Sequence, residues 1–197
     1  EPLVDRLERL GALLPGSILA HCVHLSPAEL ERAAAAGAWV SHQPRSNMNN
    51  AVGYAPVAHF PERTSLGTDG IGADMLAELQ AGWFRGSEGG AGWSPARWLK
   101  ALVSTADLAG EKLGVDLGRI EAGAAGDLVV MDPIPGPPLL ADNLPAAFIF
   151  RMSSAAVRDV VVAGRLVLRD RQPVRVDAIE VDEEARMAAT SLWSRMN

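Results

Sequence analysis

A single cysteine, Cys22, occurs in the 197 residues, so no internal disulfide can form. That fits a reducing compartment, and a cytoplasmic location is expected. Aromatic residues are scarce at 5% although hydrophobic residues reach 48%. Ala, Leu and Val must carry the core, which is the composition of a soluble α/β protein and not of a disordered chain. There is no run of Lys or Arg, and the net charge is −6. Bulk electrostatics therefore give no support for nucleic acid or an anionic membrane as partner. No apolar stretch approaches the roughly 20 residues of a membrane span. The opening residues, Glu1 to Arg9, are charged and amphipathic, unlike a signal peptide. No GxGxxG opens a helix and no P-loop pattern occurs, so a nucleotide phosphate cradle is not expected.

What is present is a strand–helix rhythm. Asp5–Leu14 reads as a helix stopped by Pro15-Gly16, and Ser17–Val23 as a buried strand. Ser26-Pro27-Ala28-Glu29 carries a capping box with Pro in the first turn, and Gly37 suits the end of that helix. Ala38–His42 reads as a second strand, Pro44–Asn50 as a loop and Thr64–Thr68 as a third strand. Asp74–Arg85 reads as a helix, Gly86–Gly92 as a flexible loop, and Ser94-Pro95 as the start of a helix running to Val103 or a little beyond. Short connections of this kind imply parallel strands with right-handed crossovers. After Gly110 the pattern turns to β elements: strands at Asp127–Asp132 and Phe148–Met152, a proline-rich loop at Pro133–Pro138, and a hairpin over Val157–Asp170 turned at Ala163-Gly164. Asp182–Met196 reads as a helix with Ala185, Ala188, Ala189, Leu192 and Met196 on one face. Three segments follow: 1–110, α/β; 111–181, β-rich; and 182–197, a terminal helix.

Chemistry concentrates at strand ends. Asp69 stands in Leu66-Gly67-Thr68-Asp69-Gly70 where a strand gives way to a loop. It is either a turn or cap residue, or a carboxylate able to ligate a cation and accept a proton from bound water. Asp74 is better placed to cap the next helix, which leaves Asp69 without a structural task. His21 ends the first strand in the same way. It is either a core histidine with hydrogen-bonded ring nitrogens or a group facing metal-bound water. His24 faces the other way on an extended strand and reads as a loop residue. His42 ends the second strand and is either a positioning residue or part of the same mouth. Asn47, Asn49 and Asn50 supply turn chemistry, or one amide, Asn47, reads the edge of a substrate ring. Cys22 and His21 point to opposite faces, which rules out a Cys/His nucleophile pair.

Ala20-His21-Cys22-Val23-His24-Leu25, Ser41-His42-Gln43-Pro44-Arg45-Ser46-Asn47 and Leu66-Gly67-Thr68-Asp69-Gly70 resemble the last three barrel strands of the amidohydrolase superfamily. The branch is that of guanine deaminase, S-adenosylhomocysteine deaminase and triazine hydrolases. Gly118–Gly123 and Asp127–Asp132 are similar to the strands that return that family's chain to its small β-sandwich, and Val157–Asp170 to its hairpin. Asn47–Gly53, Asp69–Met75 and Leu192–Asn197 resemble the SsnA-type aminohydrolases. The resemblance implies strands six to eight of a (β/α)8 barrel plus a β-sandwich. It implies that Asp69 binds metal and takes a proton from the attacking water, and that His21 orients that water. Zn2+, or else Fe2+, is the cofactor implied, and a purine-like or related N-heterocycle the substrate, deaminated by metal-activated water.

The family's His-x-His, its fifth-strand His and the nearby Glu have no counterpart here. Asp69 and His21 alone are two ligands where a catalytic zinc has three. The connection Pro56–Ser65 is also shorter than the resemblance implies, by about a helical turn. The chain is thus expected to be the C-terminal part of the enzyme, inactive by itself. The alternative is a non-catalytic module that associates with a copy of itself or with a complementing N-terminal half, since three barrel strands leave edges open.

Overall fold

A computed structural model describes residues 1–196, and backbone contacts divide it into two units. The first comprises Glu1–Gly118 with Ile134–Ala155; the second comprises Arg119–Pro133 with the chain from Ala156 onward.

In the first unit, β1 (Ile18–Ala20), β2 (Trp39–His42) and β3 (Thr64–Leu66) form a parallel sheet in chain order. Helix α1 (Leu3–Arg9) precedes β1, starting earlier and stopping sooner than the sequence suggests, because Gly11 takes a left-handed turn at φ 65°. Strand β1 is also shorter than expected, for His21 and Cys22 both leave the extended region with φ of 64° and 54°. Helix α2 (Pro27–Ala35) carries the expected capping box: the Ser26 hydroxyl accepts from the Glu29 amide, and the Glu29 carboxylate accepts from the Ser26 amide. Gly37 follows with φ 76°, the conformation that only glycine adopts without strain.

The segment Pro44–Asn49, expected as a loop, is helix α3. Ser and Asn are indifferent helix formers, so local propensity does not explain it. Tertiary anchoring does. Both the Arg45 amide and its Nε donate to the fully buried Glu78 carboxylate, at 2.8 and 2.6 Å. The crossover to β3 contains only α3 and a 3-10 turn at Val57–His59.

Helix α4 (Met75–Glu88) is capped by Asp74, which accepts from the Leu76 and Ala77 amides. It runs through Gly86, where the sequence suggests a loop. Gly82 and Gly86 let the Trp98 ring of α5 (Pro95–Leu113) approach so closely that an added Cβ would lie 2.6 and 2.4 Å from it. Trp98 is almost fully buried and meets Trp93 at 4.8 Å between ring centroids. Helix α5 continues well past Val103 and ends where Gly114 turns left-handed. Phe148–Met152, read from the sequence as a strand, instead falls in and just after helix α6 (Leu144–Phe150). Pro145 sits in its first turn, Ala147 and Ile149 are buried, and Phe150 makes edge-to-face contacts with Trp83 and Phe84 of α4. These contacts are interhelical, which an apolar run in the sequence does not distinguish from strand packing.

The second unit is an antiparallel sheet in the order β4 (Leu128–Met131), β5 (Val157–Val162), β6 (Arg165–Arg169), β7 (Gln172–Pro173). The expected hairpin joins β5 to β6 through Ala163 and Gly164, both with positive φ. Helix α7 (Ala178–Ser194) begins before the expected Asp182, because Asp177 caps it by accepting from the Ile179 and Glu180 amides. No helix among the described residues is long and apolar enough to cross a membrane.

Candidate functional site

Parallel strands carry their useful side chains at their C-terminal ends, and the first unit follows that rule. His21 follows β1 directly, α3 follows β2 after one residue, and Asp69 lies three residues beyond β3. His21, Ser46, Asn47 and Asp69 line one cleft of about 390 Å³ together with His24 and Val23. The His21 Nε2 and Asp69 Oδ2 atoms stand 3.7 Å apart, and both side chains are partly exposed to the cleft. That separation is too long for a hydrogen bond and leaves room for a small third group between them.

Each of the two is held from a second direction. The Ser46 hydroxyl donates to Asp69 Oδ2 at 2.6 Å, and the Gly70 amide donates to Asp69 Oδ1 at 2.7 Å. These bonds, with His21 nearby, hold the Asp69 carboxyl below its ordinary pKa, so it is ionised at neutral pH. The His21 Nδ1 lies 2.7 Å from Asn47 Oδ1. The His21 backbone N–H donates to Gln43 Oε1 at 2.8 Å, which secures its left-handed backbone. Asp69 is likewise left-handed, with φ 54°. Among residues with a Cβ, Asn, Asp and His adopt that region most readily.

Helix α3 supplies the connections. Successive residues reach successive targets: Arg45 donates to Glu78 and to the Gly72 carbonyl, Ser46 to Asp69, and Asn47 meets His21. Ser46 and Gln43 were not singled out from the sequence. The one available signal was Pro44, which suits the first turn of a helix and so orders the residues after it.

His42 does not line the cleft. It is 1% exposed, packs edge-on to Phe60 at 5.4 Å and lies 6.2 Å from Trp98. Neither ring nitrogen has a hydrogen-bond partner among the described residues. Burial, reinforced by His21, pushes its pKa down to about 3, so the ring is neutral. The expectation of a shared mouth fails because His42 is still extended and lies in the core beside Leu66, its ladder partner on β3, whereas His21 leaves the strand with a left-handed backbone and enters the cleft. Asn47 is only 4% exposed, and its amide oxygen is committed to His21. Asn50 reaches the cleft wall, whereas Asn49 is exposed and bonds to Asn50. Burial pushes the Cys22 thiol up to about 12, in keeping with an inert cysteine.

Residues 2–167 match the Amidohydrolase family. The chain belongs to the amidohydrolase family. Curated amidohydrolase-like relatives include a 5-methylthioadenosine/S-adenosylhomocysteine deaminase of Halobacterium salinarum, 36% identical over 99% of this chain and 49% of its own length. A 5'-deoxyadenosine deaminase of Methanopyrus kandleri is 34% identical over 97% of this chain and 46% of its own. The chain thus spans about half the length of the curated relatives it matches. Among solved structures, an adenosine deaminase from Xanthomonas campestris with bound zinc superposes with a TM-score of 0.82 at 26% identity, covering 97% of this chain and 46% of the other. A mutant atrazine chlorohydrolase from Arthrobacter aurescens, complexed with zinc and atraton, superposes at 0.72 with 23% identity over 93% of this chain and 43% of its own, which shows the shared fold.

A histidine nitrogen and a carboxylate oxygen are suitable donors for zinc. Two ligands of one tetrahedral ion lie roughly 3.4 Å apart when each bond is near 2.1 Å. The 3.7 Å between Nε2 and Oδ2 is close to that spacing. Among the described residues there is no group of three or more His, Cys, Asp or Glu placed to hold a metal ion. The pair fits as part of a ligand set and not as the whole of one.

Proposed function

We propose that this chain is the C-terminal part of a metal-dependent aminohydrolase that deaminates a purine-like N-heterocycle, with adenosine derivatives as the first candidates. The observation that carries the reading is the convergence of His21 Nε2 and Asp69 Oδ2 across 3.7 Å in one cleft. The names of the relatives support the substrate class. On this reading β1–β3 are strands six to eight of a (β/α)8 barrel, and the β4–β7 sheet belongs to the family's β-sandwich. His21 and Asp69 would be the ligands this chain offers, the remaining ones coming from outside it. Zinc is the favoured metal, with Fe2+ as the alternative; when bound it lowers the pKa of water toward neutrality. Asp69, ionised and oriented by Ser46, accepts the proton of the attacking water and releases it toward the departing amine. Where the outside ligands complete the metal without His21, its Nε2 instead orients that water against the ring carbon. Asn50 and the Asn47 amide are the polar groups available to a substrate in this part of the wall. The compartment fitting one cysteine and no membrane-spanning helix is the cytoplasm.

The test is to express this chain joined to its upstream coding sequence, supply zinc, and measure ammonia release from adenosine, 5'-deoxyadenosine, 5-methylthioadenosine and S-adenosylhomocysteine. Release from one of them supports the reading, and none from any would defeat it.

A second reading, a non-catalytic module that pairs with a copy of itself or with an N-terminal half, is favoured by one observation. Strands β1 and β3 each have one ladder partner, and Ile18 on β1 is half exposed. Sedimentation of the purified chain, alone and with the separately expressed upstream segment, distinguishes a self-associating module from a half awaiting its complement.

A further inference from the structure

We infer that Asn47 is a positioning residue that sets the tautomer of His21, so that Nε2 turns an unprotonated lone pair toward Asp69. An imidazole in water prefers its proton on Nε2, but among the described residues the acceptor facing it, Asp69 Oδ2, is 3.7 Å away and already accepts from Ser46. Nδ1, by contrast, lies 2.7 Å from the Asn47 amide oxygen, a firm donor–acceptor distance. Asn47 is 4% exposed, so this bond is sheltered from competing water. It is also rigidly placed. Asn47 lies on α3, which is tied down through Arg45 to the buried Glu78 and to the Gly72 carbonyl. The His21 backbone is fixed independently by Gln43, so only rotation of the side chain itself can part the ring from Asn47.

Two acceptors then face each other, a ring lone pair and a carboxylate oxygen. Such a pair is repulsive when empty and is satisfied by a cation or by a water that donates to both. Through its oxygen Asn47 therefore acts on His21, and only its Nδ2 is left for a substrate. This role in catalysis rests on the aminohydrolase reading; the tautomer itself does not.

Long-range proton–nitrogen correlation spectra of histidine-labelled chain report which ring nitrogen carries the proton, with the His21 signal assigned by its loss in His21→Gln. In its neutral form the wild-type ring should show the Nδ1–H pattern. Asn47→Leu should shift the tautomer ratio toward Nε2–H by about tenfold, and Asn47→Asp, which keeps an acceptor, should retain Nδ1–H. An Nε2–H wild-type ring, or identical spectra for wild type and Asn47→Leu, overturns the inference. Should Asn47→Leu fail to fold, the wild type and Asn47→Asp still decide it, since Nε2–H in either is contrary. An Nδ1–H ring in a chain whose complete protein releases no ammonia sinks the aminohydrolase reading and supports this one.

Discussion

His42 is a neutral imidazole sealed between Phe60 and Trp98, and its effect on stability has a definite sign. Its folded-state pKa of about 3 lies below the ordinary 6.5. Between those values the unfolded chain binds more protons than the native one, so stability falls as pH drops from about 6.5 toward 3. Above that window the contribution is complete and flat. Urea midpoints at neutral pH and in mild acid should show the decline, and His42→Leu should flatten the part of it that His42 causes. Asp69 makes the functional counterpart. Asp69→Asn keeps the shape and can still accept from Ser46, but it loses the charge. In the complete zinc-supplied protein it should cut ammonia release by about 10³-fold and lower the zinc retained after dialysis, measured by elemental analysis. That Asp69 and His21 would come near each other was legible in the sequence because each closely follows a core strand. Ser46 and Gln43 were not, since their partners lie 23 and 22 residues away and nothing local marks the pairing. His42 looked like a counterpart of His21 because the left-handed backbone that turns His21 out of its strand is not written in the residues around it.

Among the elements, the parallel strands, the α2 capping box, the Asp74 cap and the β5–β6 hairpin were legible, since each is written in residues within a few positions of one another. Helix α3 was not, because Arg45 is anchored by Glu78 from another helix. The passage of α4 through Gly86 was hidden for a related reason. Glycine reads locally as a break, yet here it makes room for a ring on α5. Gly86→Ala sets two effects against each other. The gain in helix propensity is about 1 kcal/mol. The new Cβ would fall 2.4 Å from Trp98, which is buried and cannot yield without disturbing Trp93. Overpacking of this kind costs about 1–3 kcal/mol, so a net loss of stability is expected, seen as a lower urea midpoint. An unchanged or raised midpoint would show that α4 and α5 separate easily.

For the molecule as a whole, exposed large apolar side chains are numerous: Leu3, Ile18, Phe84, Met187 and Trp193 are each about half exposed or more. The chain purified alone should therefore sediment with a concentration-dependent size, and co-expression with its upstream segment should suppress that dependence. A monomer at all concentrations would argue against both an open half and a self-pairing module. The order of the parallel sheet has one more consequence. His21 and Asp69 hang from its two outer strands, and only β2 is flanked on both sides. The amides of β2 should be the last to trade hydrogen for deuterium, while the flanking strands breathe. Zinc added to the complete protein, if it spans the pair, should slow the labelling of Ile18–Ala20 and Thr64–Leu66 in step and leave Leu128–Met131 untouched; protection on one flank alone would mean that nothing clasps the two sides together.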